Sequence, residues 1–360
     1  MLKVNQNHPD ISKIRMAAAA IRQGKLVVFP TETVYGIGAN ALDGKACMKI
    51  FRAKRRPQDN PLIVHVSSMG MAARVAEIPR NYRKQIMELW PGPLTLILKA
   101  KPCIPKEVTA GLPTVAVRFP SNRVALALIK AAGVPIAAPS ANLSKKPSAT
   151  EASHAASYFS KGVAYIIDAG ISSFGIESTI LDLSGFRILR PGAMTAEQIS
   201  SAFKKKPALP PAPTGRGVSG KPISPGMKYR HYSPEKPLLL FTGSRAELAT
   251  IFRRHGNDAA FIGSDESCRT LGNLAKNKLS MGKRNDLRSA ARNLFRNLIK
   301  LDGMDVSFGI AEAVPEKGLG TAIMNRLIKA SGNRKCASAY EAERLILKMP
   351  ASRMRRKAKP

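Results

Sequence analysis

Short apolar runs recur through the first two hundred residues, and they constrain the fold more than any other feature. Leu26–Phe29 ends at Pro30, and similar runs follow at Leu62–Val66, Leu94–Leu98, Val115–Phe119, Ile136–Ala138, Tyr165–Asp168 and Thr179–Leu183. Each has strand length, is rich in Val, Ile and Leu, and is bounded by turn residues, with helical segments between several of them. Asp10 is placed to cap a helix through Ile11, Ile14, Ala18 and Ile21 that Gly24 closes. This spacing predicts one α/β domain over residues 1–203.

Composition then changes. Residues 204–237 are dense in Pro, Gly and Lys and show neither period, which predicts a linker. Beyond it a βα alternation resumes: Leu238–Phe241, a helix over Ala246–Arg254, Ala259–Ile262, a helix over Asp286–Leu301, Val306–Ala311 and a helix over Thr321–Lys329. That predicts a smaller Rossmann-like α/β domain over 238–350, followed by a basic tail, 351–360.

The chain carries a formal net charge of +34. Residues 1–200 hold 26 Lys/Arg against 12 Asp/Glu and the remainder 32 against 12, so a basic tail alone cannot account for the excess. Such a surface attracts polyanions, RNA among them, and equally suits a merely solvated face. No apolar run approaches the ~20 residues that cross a bilayer, and no basic segment followed by a short apolar block opens the chain, so a cytosolic protein without membrane contact is expected. The four cysteines (Cys47, Cys103, Cys268, Cys336) form no CxxC pair, and the five histidines never fall at metal spacing. No GxSxG elbow is present.

Two glycine motifs fail on context. Gly215 to Lys221 has no strand before it, and Pro222 stands where a phosphate loop needs a hydroxyl. Gly318-Leu-Gly320 opens a helix but lacks the third glycine of a dinucleotide fingerprint.

Five segments place polar and cationic groups at the ends of apolar runs, where an open α/β sheet presents its ligands. They are Pro30-Thr-Glu-Thr-Val-Tyr-Gly36; Lys54-Arg-Arg-Pro57 with Asn60 to His65; Thr114 to Arg118; Pro139-Ser-Ala-Asn142 continuing to Ser148; and Glu177-Ser-Thr179 with Arg190-Pro-Gly192. Taken singly, each has a structural reading. Thr33 and Thr114 fit strand-end hydrogen bonders, His65 a satisfied core histidine, Ser140 and Asn142 a turn cap, Arg118 and Arg190 rim ion pairs, and Tyr232 a packing aromatic.

Together these segments resemble the YrdC-like family, the L-threonylcarbamoyladenylate synthases, in its long two-domain form. The family's Lys-x-Arg and Ser-x-Asn motifs read Lys54-Arg55-Arg56 and Ser140-Ala141-Asn142 here, and Ser224 to Pro234 is similar to its interdomain segment. The resemblance implies a twisted open mixed sheet with helices around a basic groove, and synthesis of an acyl adenylate from threonine, bicarbonate and ATP for tRNA modification. It implies catalytic roles for Lys54, Arg56, Ser140 and Asn142, and threonine contacts at Thr33, His65, Arg118, Ala138 and Ser178. Nucleotide contacts fall to Arg56, Asn60, Thr114, Ser140, Ser148, Arg190 and Tyr232, with Tyr232 arriving on the linker as a lid. Magnesium is expected with the triphosphate, and downstream tRNA threonylcarbamoyl transferase proteins are the expected acceptors. An RNA-binding module remains a rival on charge, though aromatic residues make up only 6% and do not cluster for base stacking. A carbamoyl-transfer domain of the hydrogenase-maturation type lacks its cysteines and acylphosphatase region here.

Overall fold

The computed structural model describes residues 1–211 and 232–349. Most of the expected linker (212–231), with the core of the segment read as a lid, and the basic tail lie outside the described residues. The described chain forms two compact units: Met1–Ser144 with Ser148–Pro211, and Lys145–Pro147 with 232–349.

The first unit is built on ten strands: β1 (Leu2–Lys3), β2 (Val27–Phe29), β3 (Gly36–Asn40), β4 (Ile63–His65), β5 (Leu94–Lys99), β6 (Thr114–Arg118), β7 (Ile136–Ala137), β8 (Tyr165–Asp168), β9 (Thr179–Asp182) and β10 (Arg187–Arg190). They lie in the order β1-β8-β2-β3-β7-β4-β6-β5-β9-β10. Pairing is mixed: β4 runs parallel to β6 and β5 to β9, whereas β7 on β4 and β5 on β6 are antiparallel. The expected mixed α/β sheet is present, and every apolar run named from the sequence lies on one of its strands. Asp10 caps helix Ile11–Arg22 as expected, its Oδ1 accepting from the backbone N–H of Ser12 and Lys13 at 3.0 and 3.3 Å.

Alternation along the central strands separates two faces. Val64, Leu94, Leu96, Leu98, Val115, Val117 and Leu181 enter the main core. Ile63, Ile97, Ala116 and Ile180 form a small second apolar cluster of their own, with Leu189 against it. Strand parity puts His65, Thr95, Thr114 and Arg118 on that second face.

Three strands of this unit were not anticipated: the two-residue β1, β3 and β10. β3 is Gly-Ile-Gly-Ala-Asn, and a Cβ on Gly38 would lie 2.7 Å from both Ile136 and Phe29, so the strand needs the small residue that hides it from propensity. β10 carries an arginine at each end. The first unit also keeps the chain beyond Phe203. Ala208 bridges to Arg187, and its carbonyl accepts from the Ile188 N–H at 2.8 Å, within the stretch read as linker.

The second unit is a five-stranded parallel sheet of β11 (Leu238–Phe241), β12 (Ala259–Gly263), β13 (Asn277–Ser280), β14 (Phe308–Glu312) and β15 (Lys335–Cys336), ordered β13-β12-β14-β11-β15. It is the Rossmann-like arrangement expected, with two strands the sequence conceals because one is polar and the other two residues long. At the carboxyl ends of β12 and β14, Glu312 accepts from the backbone N–H and Oγ of Ser264, from Ser267 Oγ and from Arg284. These donors occupy both oxygens of the carboxylate and fasten two loops to the sheet.

Candidate active site

The second face of the first unit's sheet carries a row of three polar side chains. Strand register pairs His65 with Arg118 and Arg118 with Thr95, so the three lie side by side across β4, β6 and β5. Two residues away, Ile63, Ala116 and Ile97 form a parallel apolar row. A polar strip thus borders an apolar strip on one platform.

Loops at the strand ends close around the polar row. Arg118 donates to Thr33 Oγ1 at 2.8 Å and lies 2.7 Å from Glu32, both side chains coming from the loop after β2. The same loop is braced by Thr31, whose hydroxyl meets that of Thr33 at 2.9 Å and donates to the Val34 carbonyl. Thr95 shares a 2.7 Å hydrogen bond with Ser178, and Arg190 donates to the Ser178 carbonyl and hydroxyl. A Cβ on Gly192 would lie 2.4 Å from the backbone of Ser178 and Thr179, so only glycine lets the Arg190–Gly192 turn approach so closely.

A second group joins the first through the adjacent residues Glu177 and Ser178. Glu177 accepts from Ser148 at 2.6 Å and acts electrostatically on Lys54. Lys54 is fully buried, and its ammonium donates to the backbone carbonyls of Ser140 and Asn142, while its own carbonyl accepts from the Ser144 N–H. Lys54 therefore pins the Ser140–Ser144 loop from both sides. Two of its three N–H donors are thereby committed to the protein. Arg56 reaches the carbonyls of Asn60 and Pro61, and Asn60 is buried beneath it.

Burial sets the charge states. It pushes the Lys54 ammonium well below its usual range, with nearby Arg56 adding to the effect and Glu177 opposing it. Burial, and after it the Arg118 charge, lowers His65 to about 3, so its imidazole is neutral at physiological pH. Several buried atoms here have no hydrogen-bond partner among the described residues: Glu32 Oε2, Arg118 Nε, His65 Nδ1 and Asn60 Oδ1. Orphaned buried donors and acceptors side by side suit a zwitterionic ligand that carries both kinds of group.

Of the residues named from sequence, Thr33, His65, Arg118, Ser178 and Arg190 meet in the polar row and its loops, and Lys54, Ser140, Asn142 and Ser148 form the adjoining group. Ala138 donates its N–H to the Ile63 carbonyl at 2.9 Å. Thr114 shares the Arg118 face but lies at the opposite end of β6, about 13 Å along the strand. Tyr232 belongs to the second unit, where its ring lies 5.1 Å from Phe295 and the Arg326 guanidinium sits 5.6 Å above it. Thr31, Glu32, Thr95 and Glu177 had been given no role, although Thr95 stands out as the polar residue in Leu94-Thr-Leu-Ile-Leu98.

Comparison with known proteins covers both units. Residues 19–192 match a family model described as "Telomere recombination", and residues 194–332 match one described as "Threonylcarbamoyl-AMP synthase, C-terminal domain". The chain is 45% identical over 332 residues to a threonylcarbamoyl-AMP synthase of Pyrococcus abyssi, covering 89% of this chain and 95% of that protein. It is 42% identical over 340 residues to that of Bacillus subtilis, covering 92% and 96%. The crystal structure of P. abyssi Sua5 complexed with L-threonine aligns with a TM-score of 0.85 at 43% identity, over 93% of this chain and 98% of that one. On these grounds the chain belongs to the threonylcarbamoyl-AMP synthase family.

Proposed function

We propose that the first unit makes L-threonylcarbamoyladenylate from L-threonine, bicarbonate and ATP, a nucleotidyl transfer that supplies the threonylcarbamoyl group for the adenosine next to the tRNA anticodon. The amine and bicarbonate condense to a carbamate with loss of water. A carbamate oxygen then attacks the α-phosphate, and the bond to pyrophosphate breaks.

The observation that carries this reading is the polar row of His65, Arg118 and Thr95 beside the loops of Thr33, Ser178 and Lys54. Two anions have to meet, so fixed cations and oriented donors must offset their repulsion. Arg118 and Thr33 hold the threonine carboxylate, with Ser178 and neutral His65 beside it. The orphaned Glu32 Oε2 and the Ala138 carbonyl accept from its amine. The nucleotide runs over the apolar strip toward Thr114, its phosphates facing Arg56, Asn60, Ser140, Ser148 and Arg190, with Asn142 holding the loop. Lys54 serves chiefly by fixing that loop, and Tyr232 is the nucleotide contact assigned to the linker end.

Magnesium arrives as the MgATP substrate. Among the described residues no group of three His, Cys, Asp or Glu could hold a metal ion, and phosphate and water oxygens suit magnesium. No described helix is long and apolar enough to cross a membrane. The adenylate passes to downstream tRNA threonylcarbamoyl transferase proteins in the cytosol. Mass spectrometry of the product formed from ATP, threonine and bicarbonate tests the assignment. ATP cleavage that ignores threonine would overturn it.

A further inference from the structure

Helix Leu287–Gly303 of the second unit turns Ala291, Leu294, Phe295, Leu298 and Leu301 inward. Arg288, Arg292, Arg296 and Lys300 follow one another at intervals of four on the other side. That spacing lays them along a single ridge of the helix, each about 6 Å of axial rise from the next. Arg288, Arg292 and Lys300 are exposed, while Arg296 is half-buried with its Nε unpartnered among the described residues. Lys283 and Arg284, the latter paired to Glu312, precede the helix, so the stretch from Lys283 to Lys300 holds six cations and one acid, Asp286. That acid is spent as the helix cap, accepting from the N–H groups of Arg288 and Ser289 and from the Ser289 hydroxyl.

A solvated face would not need this arrangement. Like charges four residues apart destabilise a helix, and the row contains three such pairs with no ion-pair partner among the described residues. A ligand carrying regularly spaced negative charge removes that repulsion and releases its own counterions. We infer that this ridge docks the sugar-phosphate backbone of a folded RNA. Among the described residues no exposed large hydrophobic side chain lies on the helix, so the apolar anchors that a lipid surface or a protein hot spot calls for are missing. The inference concerns the second unit alone and does not depend on the adenylate chemistry.

The test uses the full chain and a fluorescently labelled tRNA transcript, with anisotropy read across a potassium chloride series. The variant R288Q/R292Q/R296Q/K300Q is compared with R15Q/K25Q/K130Q/K161Q, which removes the same charge from exposed positions of the first unit. Loss of four phosphate contacts should lower the slope of log affinity against log salt by roughly 3 and weaken binding at least about tenfold near physiological salt, with little change in the control. R288Q/R292Q, both exposed sites, should give about half the slope change and guards against misfolding of the larger variant. Equal losses in ridge and control variants would assign the affinity to bulk charge and overturn the inference. So would unaltered RNA binding by the ridge variant, or a wild-type preference for phosphatidylserine vesicles over RNA.

Discussion

Arg118 and Glu32 form a buried ion pair, 2.7 Å apart, that ties the end of β6 to the loop after β2. Both side chains are nearly inaccessible to water, yet Arg118 Nε and Glu32 Oε2 are left unpartnered among the described residues. The pair neutralises itself and still offers one donor and one acceptor. Removing one member strands the other charge, so Glu32→Gln should cost about 3 to 5 kcal/mol of unfolding free energy. It should also raise the threonine KM at least about tenfold, a loss of about 1.4 kcal/mol. Urea titration and steady-state kinetics read the two effects separately; an unchanged KM would confine Glu32 to a structural role.

His65 gives the fold a pH dependence. Its pKa falls from the usual 6.5 to about 3 on burial, so the unfolded chain binds the proton more tightly. Stability from this group is complete above about pH 6.5 and drains away as pH falls toward 3. Between pH 7.5 and 5 the loss amounts to about 2 kcal/mol. His65→Gln should show a correspondingly smaller decline in urea midpoint over that interval, and parallel curves for the two proteins would contradict the assignment.

Lys54 is expected to resist its conservative replacement. Its ammonium reaches two backbone carbonyls inside a sealed space, a task for a compact head that the wider guanidinium of Lys54→Arg does not match. Lys54→Met would remove the donor that both carbonyls share, leaving that of Ser140 with the Asn142 N–H, at a cost of about 1 to 3 kcal/mol. Both variants should lose kcat/KM for ATP through the displaced Ser140–Asn142 loop, and arginine restoring wild-type turnover would show that charge alone matters.

Gly192 supports Ser178 through backbone contact. Gly192→Ala places a methyl 2.4 Å from the Ser178–Thr179 peptide, so one segment has to move. Overpacking of this kind costs about 1 to 3 kcal/mol, and Arg190 would lose alignment with the Ser178 carbonyl. Pyrophosphate release should fall more steeply than stability does. A variant with normal kinetics would mean that the turn is looser than its contacts indicate.

Much of this architecture was legible along the chain, because β2, β4, β5, β6, β8 and β9 are runs of branched apolar residues and Asp10 announces its helix. What escaped was set by neighbours. β3 needs glycine where Ile136 and Phe29 crowd it, so packing overrode propensity there. β15 is two residues beside β11. In the site, the motif residues were visible as polar groups at strand ends, but the roles of Thr95 and Glu32 were not. Thr95 becomes a neighbour of Arg118 because β5 is placed next to β6, and that register is a tertiary fact.

The adjacency of β4, β6 and β5 has an implication for how this sheet tolerates change. Side chains on a strand alternate, so deleting Ala116 from within β6 would carry Val117 onto the second face and swing Arg118 into the oily interior. Catalysis and folding would fail in one step. Length variation should therefore be confined to the turns between strands, while the strands themselves admit exchange of letters but not of count.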